Sequence, residues 1–237
     1  MKIIGHRGAK GLAPENTLAS FKKAIEHHTD ELEFDLRVTS DSVVILSHNA
    51  HLSDPAGNQL LIRGCTYAEL KKHKPDLTTF KEVLDFTNRR VPLYVEIKPG
   101  EPTEPVINIL DTYLAAGWKP QDFRLGSYDQ AALLALHQAY PDIQTIVIEN
   151  WSGVRATRRA RQLGTKRISM LEYWLWPGFI ASMRRGGYEL YSFPPKKNRP
   201  LATFLLGAHS NDPANARKWA KHGLAGVITD YPDRFEK

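Results

Sequence analysis

The sequence predicts an α/β fold, a closed (β/α)₈ TIM barrel with a small insertion after the second strand. Short runs rich in β-branched and aromatic residues alternate with longer segments of helical periodicity, a pattern typical of parallel βαβ units. The chain has 237 residues, and α/β barrels often span about 200 to 250 residues as one domain. We therefore expect residues 1–237 to form a single domain.

Eight short runs are predicted to be the barrel strands. They are residues 2–5, 31–36, 91–97, 123–126, 143–148, 166–170, 203–207 and 225–229. Residues 188–192 (YELYS) form a ninth strand-like run, which we interpret as a hairpin partner of the seventh strand. Eight strands that alternate with helices match the number that closes a TIM barrel.

Between the predicted strands, apolar residues recur at the spacing of amphipathic helices. The first such segment carries Leu18, Phe21 and Ile25, and the last carries Ala216 and Trp219. Residues 38–77 do not follow the pattern, because they hold a strand-like VVILSH and a loop where a barrel helix is expected. We interpret them as an insertion after strand 2.

Charge and composition narrow the class of protein. There are 32 Lys and Arg residues against 26 Asp and Glu, a formal net charge of +6, with basic clusters at 71–74, 155–161 and 194–199. Such clusters attract nucleic acid, anionic lipid or phosphorylated substrates. The sequence has no recognised nucleic-acid-binding motif, so no nucleic-acid partner is expected, and a solvated helix face with two charged loops is the favoured explanation of the clusters.

The location is predicted to be cytoplasmic. The longest apolar runs are far shorter than the roughly 18 residues that a membrane span needs, and no apolar signal segment follows Met1. Cys65 is the single cysteine, so no internal disulfide can form, which suits a reducing compartment. The sequence does not specify an oligomeric state.

Polar residues lie at the ends of the first three predicted strands and after the VVILS run. His6 and Arg7 end strand 1, while Glu33 and Asp35 are two apart in strand 2, on one face with Cα atoms roughly 6.6 Å apart. In barrels of this type the active site lies at the C-terminal ends of the strands. Glu96, Lys98 and His48 complete the set. Three carboxylates without a companion cysteine favour Mg²⁺, Ca²⁺ or Mn²⁺ over zinc.

Either pair alone, Glu33-x-Asp35 or Glu96-x-Lys98, is more often the polar face of a half-exposed strand. Barrel strands, however, are enclosed by helices on one side and by one another on the other side. A carboxylate buried there must be paired or bind a metal. We therefore interpret the combined set as a functional site.

Five short motifs occur in order along the chain: His6-Arg7-Gly8, PENT at 14–17, Glu33-Phe34-Asp35, H-N-x-x-L at 48–52 and E-I-K at 96–98. Together with GSYDQAALLALHQAYPDI and NDPANARKWAKHGLAGVITDYPDRF, they resemble the glycerophosphodiester phosphodiesterase family. The resemblance implies a (β/α)₈ barrel with a small insertion after strand 2. It also implies metal-dependent hydrolysis of a phosphodiester to an alcohol and glycerol 3-phosphate, so the expected partner is a small-molecule phosphodiester.

The resemblance also implies roles for individual residues. Glu33, Asp35 and Glu96 would hold one divalent cation, Mg²⁺ or Ca²⁺, with Mn²⁺ as a third candidate. Arg7 and Lys98 would neutralise phosphate oxygens. His6 and His48 would be the general acid and base, in an order that the sequence does not determine. Glu15, within PENT, is a candidate pocket residue, while Asn16 or Thr17 is expected to cap the first helix.

The chain departs from the family pattern at two places. His48 is followed by Asn49 where the family usually has Asp, so a charge that would tune the histidine is missing. The family's Trp-Thr-Val-Asn at strand 7 aligns with Ala208-His209-Ser210-Asn211, which removes an aromatic side chain. We therefore predict a wider pocket and bulkier substrates, in the manner of a lysophospholipase D, with His209 as an added substrate-binding group.

Two other classes of function remain open. A barrel that binds sugar phosphates for isomerase or aldolase chemistry would more often need a Schiff-base lysine or a carbon-acid base, and it would not explain three carboxylates beside two histidines. The second alternative is a non-catalytic barrel that makes peripheral contact with anionic membranes through its basic face. The filled catalytic positions disfavour it.

Overall fold

The barrel is closed by eight parallel strands. The structure is a computed structural model that describes residues 1–53, 57–195 and 210–235. The barrel strands are β1 (Lys2–Gly5), β2 (Glu31–Val38), β6 (Leu93–Ile97), β7 (Phe123–Ser127), β8 (Gln144–Glu149), β9 (Arg167–Leu171), β10 (Glu189–Phe193) and β11 (Gly226–Thr229). β1 pairs in parallel with both β11 and β2, which closes the sheet on itself. The predicted (β/α)₈ TIM barrel is confirmed.

Helices connect consecutive barrel strands and cover the outside of the sheet. They are α1 (Leu18–Glu26), α3 (Phe80–Thr87), α4 (Glu104–Ala115), α5 (Gln130–Ala139), α6 (Gly153–Gln162), α7 (Pro177–Arg185) and α8 (Pro213–His222). Thr17 rather than Asn16 caps α1, because its hydroxyl accepts the backbone N–H of Ser20 at 3.3 Å. Within the described ranges, no helix has both the length and the apolar character that crossing a bilayer requires.

The predicted insertion after strand 2 is present. Its strand β3 (Val44–Leu46) runs antiparallel to the end of β2, and β4 (His51–Ser53) pairs with β5 (Gln59–Leu61) in a separate hairpin. Helix α2 (Tyr67–His73) completes it. A small apolar cluster of Ile45, Ile62, Leu70 and Leu77 holds these elements together. Because β3 returns along β2, it carries the chain back to the C-terminal end of the barrel.

The seventh barrel strand differs from the prediction. β10 (Glu189–Phe193) pairs in parallel with β9 on one edge and with β11 on the other, so the run at 188–192 is a barrel strand and the hairpin interpretation is wrong. Leu190 packs outwards against the helices, whereas Tyr191 lies inside the barrel and donates to Glu189 at 2.8 Å. Residues 203–207, Ala208 and His209 lie outside the described residues.

The lower half of the barrel, towards the N-terminal ends of the strands, is filled with side chains, which leaves the upper half for a site. The apolar residues that fill the lower half are Ile4, Tyr94, Ile146, Ile148, Tyr191 and Ile228. At the lower end, the buried carboxylate of Glu31 is paired with Lys2 at 2.5 Å and with Arg124 at 2.9 Å. Two larger apolar clusters pack between the strands and the surrounding helices.

The basic cluster at 155–161 is partly structural. Arg159 is only 5% exposed and donates to the backbone oxygens of Ile148 at 2.9 Å and Tyr128 at 2.8 Å. It also donates to the side chain of Gln130 at 3.0 Å. The guanidinium therefore ties α6 to the ends of two barrel strands.

We expect Arg159→Ala to lower the free energy of unfolding by about 3 kcal/mol, because it leaves buried carbonyls without donors. Urea denaturation measures this loss. Arg158→Ala, at an exposed position of the same helix, is the matched control and should stay within about 0.5 kcal/mol of the wild type. Equal losses in the two variants would contradict the structural role of Arg159.

Candidate active site

A cavity of about 740 Å³ opens at the C-terminal ends of the barrel strands. Its lining includes seven of the residues predicted from the sequence: His6, Arg7, Glu33, Asp35, His48, Glu96 and Lys98. The carboxylate of Glu15 contacts Arg7 at 2.8 Å from a half-exposed position. His209 lies outside the described residues. The fold thus brings together residues that are up to 92 positions apart in the sequence, from His6 to Lys98.

The turn after β1 points two functional side chains into the barrel. Arg7 and Gly8 both have left-handed φ angles, 49° and 83°, and the backbone N–H of Arg7 donates to Glu33 Oε2 at 2.9 Å. A Cβ at position 8 would lie 2.4 Å from the hydroxyl of Ser20 on α1. Gly8 is therefore required by close packing as well as by its backbone angle, and the strained Arg7 is typical of functional sites.

Three carboxylates form the acidic centre of the cavity. Oxygens of Glu33, Asp35 and Glu96 lie within 4.8 Å of one another, and all three residues are buried. Asp35 on β2 is the direct neighbour of Glu96 on β6, which explains how the strand register gathers them. Burial and the charges of the other two carboxylates raise the pKa of Glu33 well above its usual range. Burial likewise raises the pKa of Glu96.

Two cations partly compensate this acidic centre. The Lys98 ammonium lies 2.5 Å from oxygens of both Asp35 and Glu96, and Arg7 Nε lies 3.2 Å from Asp35. Burial alone would raise the pKa of Asp35, but Lys98 and Arg7 outweigh it and hold that pKa well below its ordinary value. Asn16 also donates to Asp35, at 3.0 Å. Lys98 and Arg7 therefore favour the ionised form of Asp35.

The acidic centre could bind a divalent cation. Its ligand atoms are all carboxylate oxygens, the set that Mg²⁺, Ca²⁺ and Mn²⁺ prefer. The Lys98 ammonium already contacts oxygens of two of the three groups, so these oxygens face a common positive charge. Burial and the charges of Asp35 and Glu96 raise the pKa of Glu33 although Arg7 opposes them, and a bound cation would favour the ionised form of this carboxylate.

Glu31 shows what a purely structural carboxylate looks like in this barrel. It lies on the same face of β2 as Glu33 and Asp35, and it is equally buried. Lys2 and Arg124 neutralise it at the lower end of the barrel. The sequence pattern does not distinguish Glu31 from Glu33, because only the folded structure shows which carboxylate has partners of opposite charge.

His6 is held by an acidic partner that the sequence reasoning missed. Its Nδ1 lies 2.6 Å from Asp230 Oδ1, and the same carboxylate contacts Lys10 at 3.3 Å and Asn211 at 3.1 Å. Burial would raise the pKa of Asp230, but its hydrogen bond to His6 lowers it to about 2. An ionised Asp230 accepts a hydrogen bond from Nδ1–H of His6, which leaves Nε2 of His6 to exchange protons. Asp230 directly follows the last strand, so the strand-end rule applied there would have found it.

His48 reaches the cavity from the insertion. His48 follows strand β3 and lies beside the end of β2. Its backbone oxygen accepts a hydrogen bond from the Arg37 guanidinium at 3.1 Å. Its Nδ1 lies 3.2 Å from Asn49 Oδ1, a neutral group in the place where the family pattern has a carboxylate. Burial and the charge of Lys98 lower the pKa of His48 to about 4. His6 is lowered to the same pKa of about 4, by burial and by Arg7 and Lys10 against the opposing effect of Asp230.

The lowered pKa of His6 predicts a loss of stability in acid. Between pH 6.5 and about pH 4 the unfolded chain binds a proton at His6 that the folded chain does not, so stability falls as the pH falls through this window. The contribution amounts to about 3 kcal/mol. Urea unfolding of wild type and His6→Gln from pH 7 to pH 4 measures it. The variant should show the shallower pH dependence, and parallel curves would contradict the prediction.

The side of the cavity formed by β7 to β10 and the loops after them is lined by aromatic residues. They are Tyr128, Trp151, Tyr173, Trp174 and Phe193, while Tyr94 belongs to the apolar filling below the cavity. Phe193 ends β10, the seventh barrel strand, so an aromatic side chain lies at this strand end. Ala208, on which the expected loss of an aromatic group rested, lies outside the described residues. The cavity therefore has one charged wall and one aromatic wall.

Comparison with known proteins identifies the family. The profile of the Glycerophosphoryl diester phosphodiesterase family matches residues 6–234. A glycerophosphodiester phosphodiesterase of Bacillus altitudinis is 32% identical over 252 residues, which cover 100% of this chain and 97% of the relative. One from Bacillus subtilis (strain 168) is 26% identical, over 99% of this chain and 85% of the relative.

Solved structures share the fold. A phosphodiesterase of Oleispira antarctica, in complex with the product sn-glycerol-3-phosphate, matches with a TM-score of 0.81 at 24% identity, covering 99% of this chain and 94% of that chain. A protein of Silicibacter pomeroyi DSS-3 described as a glycerophosphoryl diester phosphodiesterase matches with a TM-score of 0.77 at 22% identity, over 99% and 91% of the two chains. From the family match and the full-length relatives, the chain belongs to the glycerophosphoryl diester phosphodiesterase family and is a phosphodiester hydrolase.

Proposed function

We propose that this enzyme hydrolyses glycerophosphodiesters to an alcohol and glycerol 3-phosphate, with one divalent cation on its acidic centre and His6 and His48 as the general acid and base. One observation carries the proposal. A cluster of three buried carboxylates, two cations and two histidines shares a single cavity at the C-terminal ends of the strands. Sugar-phosphate isomerase or aldolase chemistry would leave this combination unexplained.

The residues that would hold the cation are Glu33, Asp35 and Glu96. When bound there, a divalent cation supplies Lewis-acid stabilisation of the charge that develops on phosphoryl oxygens. We favour Mg²⁺ or Ca²⁺, with Mn²⁺ as the third candidate, because the ligand atoms are all carboxylate oxygens. Arg7 and Lys98 lie against the same carboxylates and would neutralise oxygens of the phosphodiester anion, which otherwise repels an attacking oxygen.

The histidines would move the protons. With Nδ1 of His6 bonded to ionised Asp230, Nε2 is the atom available to a substrate, and the carboxylate would stabilise the ring after it gains a proton. Both free histidines have a pKa of about 4 and are neutral at pH 7, so either can accept a proton at once. The negative phosphodiester would raise both pKa values, which favours the protonated acid that the leaving alkoxide requires.

A direct assay tests the proposal. Glycerophosphocholine, a lysophospholipid and an aryl phosphodiester are offered to the purified protein with and without excess chelator, followed by Mg²⁺, Ca²⁺ or Mn²⁺. We expect activity to disappear with chelator and to return with at least one of these ions. Undiminished turnover in excess chelator would overturn the metal assignment.

Two expectations stay predictions. The preference for bulky substrates rested on Ala208, which lies outside the described residues, and Phe193 supplies an aromatic group at the end of strand 7 after all. Comparison of kcat/KM between glycerophosphocholine and the lysophospholipid decides it. A cytoplasmic location rests on the single cysteine, Cys65.

A further inference from the structure

An exposed apolar surface surrounds part of the cavity mouth. It consists of Trp151 and Val154 at the start of α6 and of Trp174 and Trp176 before α7, and we call these four residues the aromatic rim. Their exposed fractions are 68%, 81%, 44% and 61%. The remaining two tryptophans of the chain, Trp118 and Trp219, are each only 8% exposed. Large exposed apolar groups that cluster in this way mark interaction surfaces.

The aromatic rim is one ordered surface rather than scattered side chains. The rings of Trp151 and Trp174 lie edge to face at 5.8 Å. The starts of α6 and α7 touch, because a Cβ on Gly153 would lie 2.4 Å from the ring of Phe179. The ring of Trp176 folds back against Gly178, where a Cβ would lie 2.1 Å from it. The glycines thus let neighbouring aromatic rings pack close to the backbone.

The charge around the rim is positive. From residue 150 to residue 188 the sequence has one acidic residue, Glu172, and it is buried. The exposed face of α6 carries Arg155, which pairs with the buried Glu149 at 3.1 Å, and Arg158. Asp129, the N-cap of α5, adds one negative charge nearby, but residues 150–188 hold eight basic residues against Glu172, so the net charge stays positive. Tryptophan rings beside guanidinium groups are the combination that binds the headgroup region of anionic lipid.

The rim is also continuous with the active site. Trp151 and Trp174 line the same cavity as His6, Arg7 and the acidic centre. A lipid surface that contacted the rim would therefore face the open end of the barrel, and an amphipathic molecule could pass from that surface along an aromatic wall.

We propose that the aromatic rim docks this enzyme on anionic lipid surfaces, with the mouth of the active-site cavity towards the lipid. Docking requires neither turnover nor a bound metal, so the proposal goes beyond the hydrolytic function and can fail independently of it.

Vesicle flotation tests the proposal directly. Vesicles of equal parts phosphatidylglycerol and phosphatidylcholine are compared with vesicles of phosphatidylcholine alone, at low and high salt. We expect the protein to float with the anionic vesicles, and less so at high salt. Trp176→Ser and Trp151→Ser should each weaken this binding about tenfold, because each removes a large apolar surface from the contact. Leu134→Ser, at an exposed apolar position on α5, is the matched control and should bind like wild type.

Tryptophan fluorescence gives a second measurement. Three of the five tryptophans belong to the rim, so anionic vesicles should shift the emission to shorter wavelength, and brominated lipid should quench it. Thermal unfolding verifies that each variant is folded.

Absence of binding to anionic vesicles, or equal binding by Trp176→Ser and wild type, would overturn the proposal. So would a dimer in solution that Trp176→Ser dissociates, because the rim would then be covered by a second copy of the chain.

Discussion

Glu33→Gln is expected to abolish metal binding and to reduce turnover about 1,000-fold, the upper end of the loss seen when one electrostatic group of a catalytic site is removed. The same substitution should stabilise the metal-free protein. Burial and the charges of Asp35 and Glu96 raise the pKa of Glu33, so the ionised carboxylate opposes folding, whereas a neutral amide of the same shape does not. The amide oxygen can still accept the backbone N–H of Arg7. Loss of function together with a gain in stability distinguishes a functional carboxylate from a structural one.

The measurements are thermal unfolding with and without Mg²⁺ or Ca²⁺, and calorimetric titration of the metal. Wild type should gain stability with metal, and Glu33→Gln should not. Glu31→Gln is the matched control, since Glu31 is a buried glutamate on the same face of β2. It should lose about 3 kcal/mol of stability, because Lys2 and Arg124 lose their buried partner, while it keeps the stabilisation by metal. Normal metal binding by Glu33→Gln would refute the assignment of the acidic centre.

The sequence was sufficient to predict the barrel and the charged wall of the cavity. Strand periodicity placed Glu33 and Asp35 on one face, and the strand-end rule of the fold collected His6, Arg7, Glu96 and Lys98. These inferences succeed because they depend on local spacing and on a topology that the alternation of elements specifies. The order of motifs along the chain then indicated the family.

The seventh strand and the aromatic wall could not be predicted in the same way. β10 mixes polar and apolar residues, because the buried Tyr191 donates to the half-exposed carboxylate of Glu189, and no local pattern separates this from a surface strand. The partner of His6 depends on a contact between the two ends of the chain, 224 positions apart. Such contacts follow from barrel closure, which becomes visible only when β1 is paired with β11.

His6→Ala and His48→Ala are each expected to lower kcat by about 10²- to 10⁴-fold, the usual contribution of a general acid or base, while both variants keep the stabilisation by metal. His27→Ala, at the end of α1, should turn over substrate like wild type.

Because Asp230 holds His6 through Nδ1, Asp230→Asn should lower kcat less than His6→Ala does. It should also lower the pKa of His6 further, since the carboxylate is the group that raises it.

The pH dependence of kcat/KM separates these roles. In the free enzyme both histidines have a pKa of about 4, so the acid limb of the wild-type profile lies well below the usual histidine range. Asp230→Asn should move the His6 limb to lower pH. Asn49→Asp should move the His48 limb to higher pH, because it places a negative charge beside a ring that Lys98 and burial keep neutral. If His48→Ala kept near-normal turnover, or if Asn49→Asp left the profile unchanged, His48 would have no part in proton transfer, and the neutral Asn49 would mark a site in which His6 and Asp230 act alone.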